Sequence, residues 1–225
     1  MTRQLAFDLP AQSAYRREDF FTSPANAHAL AALEGWTGWP GGKLLLAGPP
    51  GSGKTHLAHV WADLAGAVIV PAAALAEADL PGLAQAGAVA VEDAQDVAGL
   101  PEAEAALFHL HNLVVPRGAL LMTANAPARD WGLRLADVKS RVEAAPVARL
   151  DPPDDALLSA VLVKLFADRQ TTVQPGLIPW LVARMERSID AARRLVAELD
   201  ARALAEGKPI TRATAKGLLD SGETG

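Results

Sequence analysis

The sequence predicts an α/β fold, a parallel sheet covered by helices, followed by a small all-helical domain. Three observations predict it. Short apolar runs at 43–47, 67–70, 88–91 and 119–123 alternate with segments of helical spacing, as in a sheet buried on both faces. A glycine-rich loop joins the first of these runs directly to a helix. Beyond Asp151-Pro152-Pro153 the only periodicity is helical.

The elements follow in order. Residues 1–25 contain Pro10 and Pro24 and no sustained period, which predicts an extended arm. Ala25 to Trp36 has helical spacing and Gly35 ends it. The loop Gly38-Trp39-Pro40-Gly41-Gly42 leads into the buried strand Lys43–Ala47. A helix over 55–65, a strand over 67–70 and a helix over 73–86, broken at Pro81, come next. The strand 88–91 is followed by a helix opened by Pro101 at its favoured first position and running to Val114, then by the strand 119–123. Helical segments are expected near 155–168, 175–185, 188–205 and 211–220. The domain reading is an arm over 1–15, an α/β domain over 16–150 and a helical domain over 151–225. Trp36, Trp39 and Trp61 are expected in the core.

Composition narrows the function classes. At ~150 residues per domain, 225 residues make about one and a half domains. Half of the residues are hydrophobic and mean hydropathy is +0.14, enough apolar material to bury a core. Twenty-one basic against 26 acidic side chains leave a net charge of −5, which argues against nucleic-acid binding by charge alone. The absence of cysteine excludes disulfides, thiolate metal sites and cysteine nucleophiles. The start MTRQLAFDLP does not read as a signal peptide, and Gly, Pro or charge interrupts every apolar run before 18 residues. A soluble, cytoplasmic protein without a membrane partner is expected.

The strongest motif is Gly48-Pro49-Pro50-Gly51-Ser52-Gly53-Lys54-Thr55, a full match to G-x-x-x-x-G-K-S/T between a strand and a helix. Glycines let such a loop turn its backbone N–H groups inward onto phosphate oxygens, and the helix that follows adds its positive end. Lys54 is expected to reach the β- and γ-phosphates, Thr55 to offer a hydroxyl to Mg2+, and His56 to adjoin the nucleotide. Glu92 and Asp93 end the strand 88–91 at its carboxyl side, where sites of open parallel sheets lie. Glu92 stands where a shorter Asp commonly holds the metal, and Asp93 where the water-polarising acid belongs. Weak autonomous hydrolysis is therefore expected. Asn125, after the strand 119–123, is a candidate for the γ-phosphate. His56/His59 and His109/His111 have no third ligand nearby in sequence and do not read as zinc sites.

The P-loop, the paired acids, the Thr123/Asn125 strand end and the helical domain together resemble an AAA+ ATPase, and more narrowly the DnaA initiator group. The segment from Asp19 to Leu30 resembles that group's F-x-x-G-x-x-N-x-x-A pattern, with Ser23-Pro24 departing from it. Lys139-Ser140-Arg141, followed by Pro152-Pro153-Asp154, is similar to the group's S-R-F/L and P-P/D stretch. The resemblance covers about residues 15–220 and implies that Arg141 is an arginine finger acting on nucleotide in an adjacent subunit. The initiator's DNA-binding domain is not matched, so no direct sequence-specific contact with nucleic acid is implied. Gln4, Leu5, Phe7 and Leu9 look like the short peptide that binds the replication sliding clamp, the beta subunit of DNA polymerase III. The combination resembles regulators of this family that inactivate DnaA. It implies ADP or ATP at 48–55, with ADP the resident nucleotide of such regulators, and DnaA and the clamp as partners. A homo-oligomer is a further partner, since sites of this group form between subunits. The alternative is an autonomous AAA+ ATPase of helicase or clamp-loader type. The group's sensor arginine does not transfer cleanly: ungapped alignment puts Asp190 at its position, with Arg187 a turn before and Arg193 about a turn after. Arg187 is the candidate chosen.

Overall fold

The computed structural model describes residue 15 and residues 17–222. Its centre is a five-stranded parallel sheet in the order β2-β3-β4-β1-β5. The strands are β1 (Lys43–Ala47), β2 (Val68–Pro71), β3 (Ala88–Glu92), β4 (Ala119–Ala124) and β5 (Val147–Arg149). The helices are α1 (Ala27–Glu34), α2 (Lys54–Ala65), α3 (Leu80–Gln85), α4 (Pro101–Val114) and α5 (Ala136–Glu143), then α6 (Asp155–Asp168), α7 (Leu177–Val182), α8 (Ile189–Glu206) and α9 (Arg212–Gly222).

The two central strands, β1 and β4, are buried along their whole length, whereas the edge strands β2 and β5 each bury one residue. This is why the central runs are legible as unbroken apolar segments. Alternate side chains feed two cores. One face of the sheet packs Leu45, Val89, Val91, Leu120 and Met122 against Leu107 and Leu110 of α4 and Val138 and Val142 of α5. The other packs Leu44, Leu46, Ala90 and Leu121 against α1 and α2. There Trp61 is fully buried, stacked on Trp39 at 5.2 Å and 20° and met edge-on by Trp36. The Trp39 Nε1 donates to the Ala32 carbonyl at 2.8 Å.

A third core belongs to the helices after β5. Leu158, Leu162 and Phe166 of α6 meet Leu181 of α7, Val196 and Leu199 of α8 and Ala215 of α9. Asp154 starts this unit by capping α6, its Oδ1 accepting the Leu157 N–H at 2.7 Å.

The structure departs from the sequence expectations in three places. The strand β5 has three residues with only Ala148 buried, too short and too polar to read as an apolar run. It is fixed by pairing with β1, Leu45 opposite Val147 and Ala47 opposite Arg149. The helix α5 buries only Val138 and Val142, one turn apart, and its pattern is too brief to stand out. The expected helix over 73–86 is a 3-10 stretch, Ala72–Glu77, and then α3. Asp79 caps α3 and Pro81 occupies its first turn, so this proline opens a helix and does not break one. Among the described residues no helix is long and apolar enough to cross a membrane.

Candidate nucleotide site

The loop 48–53 leaves the carboxyl end of β1 and turns into α2. Gly51 and Gly53 have φ of +68° and +101°, left-handed values that side chains resist. Gly48 N–H donates to the Ala124 carbonyl of β4 at 3.1 Å, which seats the loop beside the strand end carrying Asn125. Lys54 is buried, 7% exposed, and its ammonium spans the loop by donating to the carbonyls of Gly48 at 2.8 Å and Pro49 at 2.9 Å. Burial pushes its pKa below the ordinary lysine value, while the carboxylates of Asp93 and Asp190 act in the opposite sense.

Above the loop lies a cavity of about 590 Å3, within the size range of small-molecule sites. Four parts of the chain line it, the last of them α8. The loop and α2 contribute Pro50, Gly51, Gly53, Lys54, Thr55 and His56. The sheet ends contribute Asp93 and Asn125. The third part, mostly apolar, combines Phe20, Phe21 and Asn26 ahead of α1 with Leu157, Val161 and Leu165 of α6. A 2.9 Å ion pair between Asp19 and Lys164 joins these two walls. Tyr15 stacks on His59 at 4.5 Å, and its ring also meets His56 edge-on. One end of the cavity is thus apolar and aromatic, and the other is rich in backbone N–H groups and charge. That is the division a nucleotide requires, with a flat base at one end and phosphates at the other.

Asp93 adopts a left-handed backbone, φ +51°, just after β3. Its N–H donates to Thr123 Oγ1 at 3.0 Å, which holds the turn. Thr123 is therefore a buried brace, and Asn125, directly after β4, lines the cavity. Of the two expected acids, Asp93 lines the cavity. Glu92 keeps Oε1 buried with no hydrogen-bond partner among the described residues, as does Ser52 with its Oγ. The Thr55 hydroxyl and the Asp93 carboxylate both line the cavity, oxygen donors of the kind a hard cation takes.

The helix α8 closes the site from the other side. Ile189 N–H donates to the Gly51 carbonyl at 2.8 Å, and Asp190 and Arg193 both line the cavity. Arg187 is engaged elsewhere, its Nη2 2.7 Å from Asp155 and its Nε donating to the Pro153 carbonyl at 3.2 Å. It ties α8 to the start of α6, and Arg193 is the lid arginine that reaches the cavity. Sequence reasoning passed over Phe21, Leu157, Val161 and Lys164, because nothing local marks residues that meet only across two domains.

Arg141 lies far from this cavity. Its carbonyl accepts from Lys43 Nζ at 2.8 Å, at the amino end of β1, whereas the loop leaves the carboxyl end about 16 Å away. Its guanidinium rests 4.5 Å above the Phe108 ring and donates to the Asp137 carbonyl at 3.0 Å. Lys43 also contacts His111 Nε2 at 3.2 Å. Gln4, Leu5, Phe7 and Leu9 lie outside the described residues.

No family model matches the chain. Among solved structures it is similar to domain III of the replication initiation protein DnaA from Thermotoga maritima, at 19% identity and TM-score 0.78 over 94% of this chain and 98% of that one. It is also similar to AMPPCP-bound DnaA from Aquifex aeolicus, at 16% identity and TM-score 0.66 over 82% of this chain and 64% of that one. A RuvB from Thermotoga maritima is similar at 18% identity and TM-score 0.64, covering 86% and 65%. At these identities the likeness concerns the fold. The chain has a DnaA-like AAA+ fold, a five-stranded parallel P-loop sheet followed by a helical lid.

Proposed function

We propose that this chain is a nucleotide-holding regulator of replication initiation, similar to Hda, that acts on DnaA through Arg141. The observation that carries the reading is the separation of two features that a hydrolytic centre needs. The loop with Lys54 sits at one end of β1, and Arg141 is cradled by Phe108 and Lys43 at the other. An arginine so placed serves phosphate held by another subunit, where a finger of this kind contributes about 10³–10⁵ in rate.

The cavity holds an adenine nucleotide, as the Aquifex aeolicus DnaA neighbour does with AMPPCP. In this reading Lys54 and the N–H groups of 51–55 bind its phosphates. Thr55 and Asp93 hold Mg2+, which offsets phosphate charge when bound. Phe20, Phe21, Leu157 and Val161 enclose the base. Residues 4–9 tether the protein to the sliding clamp, and the protein works in the cytoplasm. The place of Asp93 in the cavity favours a second reading, an autonomous AAA+ ATPase.

The test is ATP hydrolysis by DnaA with this protein and DNA-loaded clamp, comparing the native chain with Arg141→Ala. Stimulation that needs the clamp and disappears in the variant is expected. Equal stimulation by the variant refutes the role of Arg141. No stimulation, with brisk ATP turnover by this chain alone, selects the autonomous ATPase.

A further inference from the structure

We propose that Lys43 and His111 are positioning residues for Arg141: the neutral His111 ring keeps the Lys43 ammonium on the Arg141 carbonyl, so that the action of Arg141 on its partner fails in acid. The inference rests on the reading of Arg141 as a residue that serves phosphate in another subunit, and adds what holds it in place.

The end of α5 needs a donor, because the last carbonyls of a helix have no intrahelical partner. Ser140 accepts from the Ala144 N–H at 3.2 Å and Val142 from the Ala145 N–H at 3.0 Å. The Arg141 carbonyl between them accepts from Lys43 Nζ at 2.8 Å. A cation at a helix C-terminus also meets the negative end of the helix dipole. Lys43 opens β1, the buried central strand, and so bolts the backbone of Arg141 to the sheet. The Arg141 guanidinium, resting over Phe108, is aimed from that fixed root.

The bolt depends on His111. Lys43 Nζ lies 3.2 Å from His111 Nε2 of α4, and both residues are only 9% exposed, so water screens the pair weakly. An unprotonated Nε2 offers the ammonium a lone pair, whereas a protonated one offers a second N–H and a positive charge. The charged groups that bear on His111 are Lys43 from β1 and Arg141 from α5, both positive. Burial first and then Lys43 hold the ring below the ordinary histidine value, so it is neutral at neutral pH. Burial and Arg141 already disfavour the charge on Lys43. As pH falls through the lowered His111 value, a third positive charge enters this cluster. Lys43 is then driven from its place beside the ring and the Arg141 carbonyl loses its donor. A shift of about 1 Å in a catalytic group costs on the order of a hundredfold in rate.

The test is ATP hydrolysis by DnaA with DNA-loaded clamp, stimulated by the native chain or by His111→Gln, from neutral to mildly acid pH. The glutamine amide oxygen accepts from Lys43 at every pH, and DnaA is common to both arms, so the ratio of the two stimulations isolates His111. The two are expected to match at neutral pH, and the native chain to fall behind by up to about tenfold per pH unit once His111 takes up its proton. Lys43→Met is expected to lower stimulation on the order of tenfold to a hundredfold at neutral pH, with ADP affinity by calorimetry unchanged, since the cavity lies at the other end of β1. A ratio that stays constant with pH, or full stimulation by Lys43→Met, overturns the positioning role while leaving that of Arg141 standing. Full stimulation by Arg141→Ala, or none by the native chain, overturns the reading of Arg141 and this inference with it. Should either Lys43→Met or His111→Gln not fold, the other decides.

Discussion

The backbone N–H of Ile189, the first residue of α8, donates to the carbonyl of Gly51 at 2.8 Å. This bond joins the lid to the glycine-rich loop, so the conformation of the loop and the docking of the lid are set together. Ser188, packed against Gly51 and capping α8, reinforces it.

Gly51→Ala is therefore expected to damage both features. At φ +68° a side chain is strained, and its Cβ would run into Ser188 Oγ. A loss of about 1–3 kcal/mol in unfolding free energy is expected, with weaker nucleotide binding. Denaturant melts and a nucleotide titration of the variant check this, and native behaviour in both would refute the coupling.

Lys54→Ala is expected to abolish nucleotide binding, since the variant loses the cation that spans the loop. The native chain should gain about 2.7 kcal/mol of stability at nucleotide concentrations 100-fold above Kd, and the variant none. Thermal melts with and without ADP measure the difference.

Glu104 is buried and gathers backbone N–H groups from Gly99 at 2.9 Å, Leu135 at 2.7 Å and Arg134 at 3.0 Å. Burial pushes its pKa up, but these hydrogen bonds, with the Arg134 charge, outweigh it and hold the carboxyl below its ordinary value. A lowered native pKa stabilises the fold above the ordinary carboxylate range. That stability is lost as pH falls through the lowered value. Glu104→Gln should cost about 1–3 kcal/mol at neutral pH and flatten the acid limb of the stability profile. Denaturant midpoints across the acid range would show it.

His111 titrates the other way in charge but not in direction. Burial, and then the Lys43 ammonium 3.2 Å away, lower its pKa, with Arg141 adding to the effect and the Asn112 side chain opposing it. The native state favours neutral imidazole, so stability is complete above the ordinary histidine range and declines as pH falls below it. The decline is limited to about 1.4 kcal/mol per pH unit for one proton. His111→Gln should remove this slope, read as the change in denaturant midpoint between neutral and mildly acid pH.

If residues 4–9 form the proposed clamp tether, replacing Leu5 and Phe7 together with Ala is expected to weaken binding to the sliding clamp while the melting temperature stays unchanged. Surface-plasmon titration on immobilised clamp is the measurement. Equal affinity after the double change rejects the clamp reading of the N-terminal residues.

The sequence by itself determined the features whose signals are short-range. The strands β1 and β4 are legible because both faces of each are buried, and α4 because Pro101 opens it. The loop 48–55 is legible because glycines, lysine and threonine at fixed spacing have few other uses. Lid helices such as α6 and α8 carry enough turns for their apolar period to show. Tertiary structure alone decided what depends on distant segments meeting. The strand β5 is a strand only because β1 supplies its partner. Phe20 and Phe21 face Leu157 and Val161 across the cavity only because the lid folds back over the sheet. The same docking places Asp190 and Arg193 in the cavity and engages Arg187 with Asp155. Arg187, Asp190 and Arg193 lie within two turns of one another in the chain, and helical spacing treats them alike. What separates them is the direction in which α8 leaves Gly51, set by one backbone hydrogen bond and the packing of Ser188.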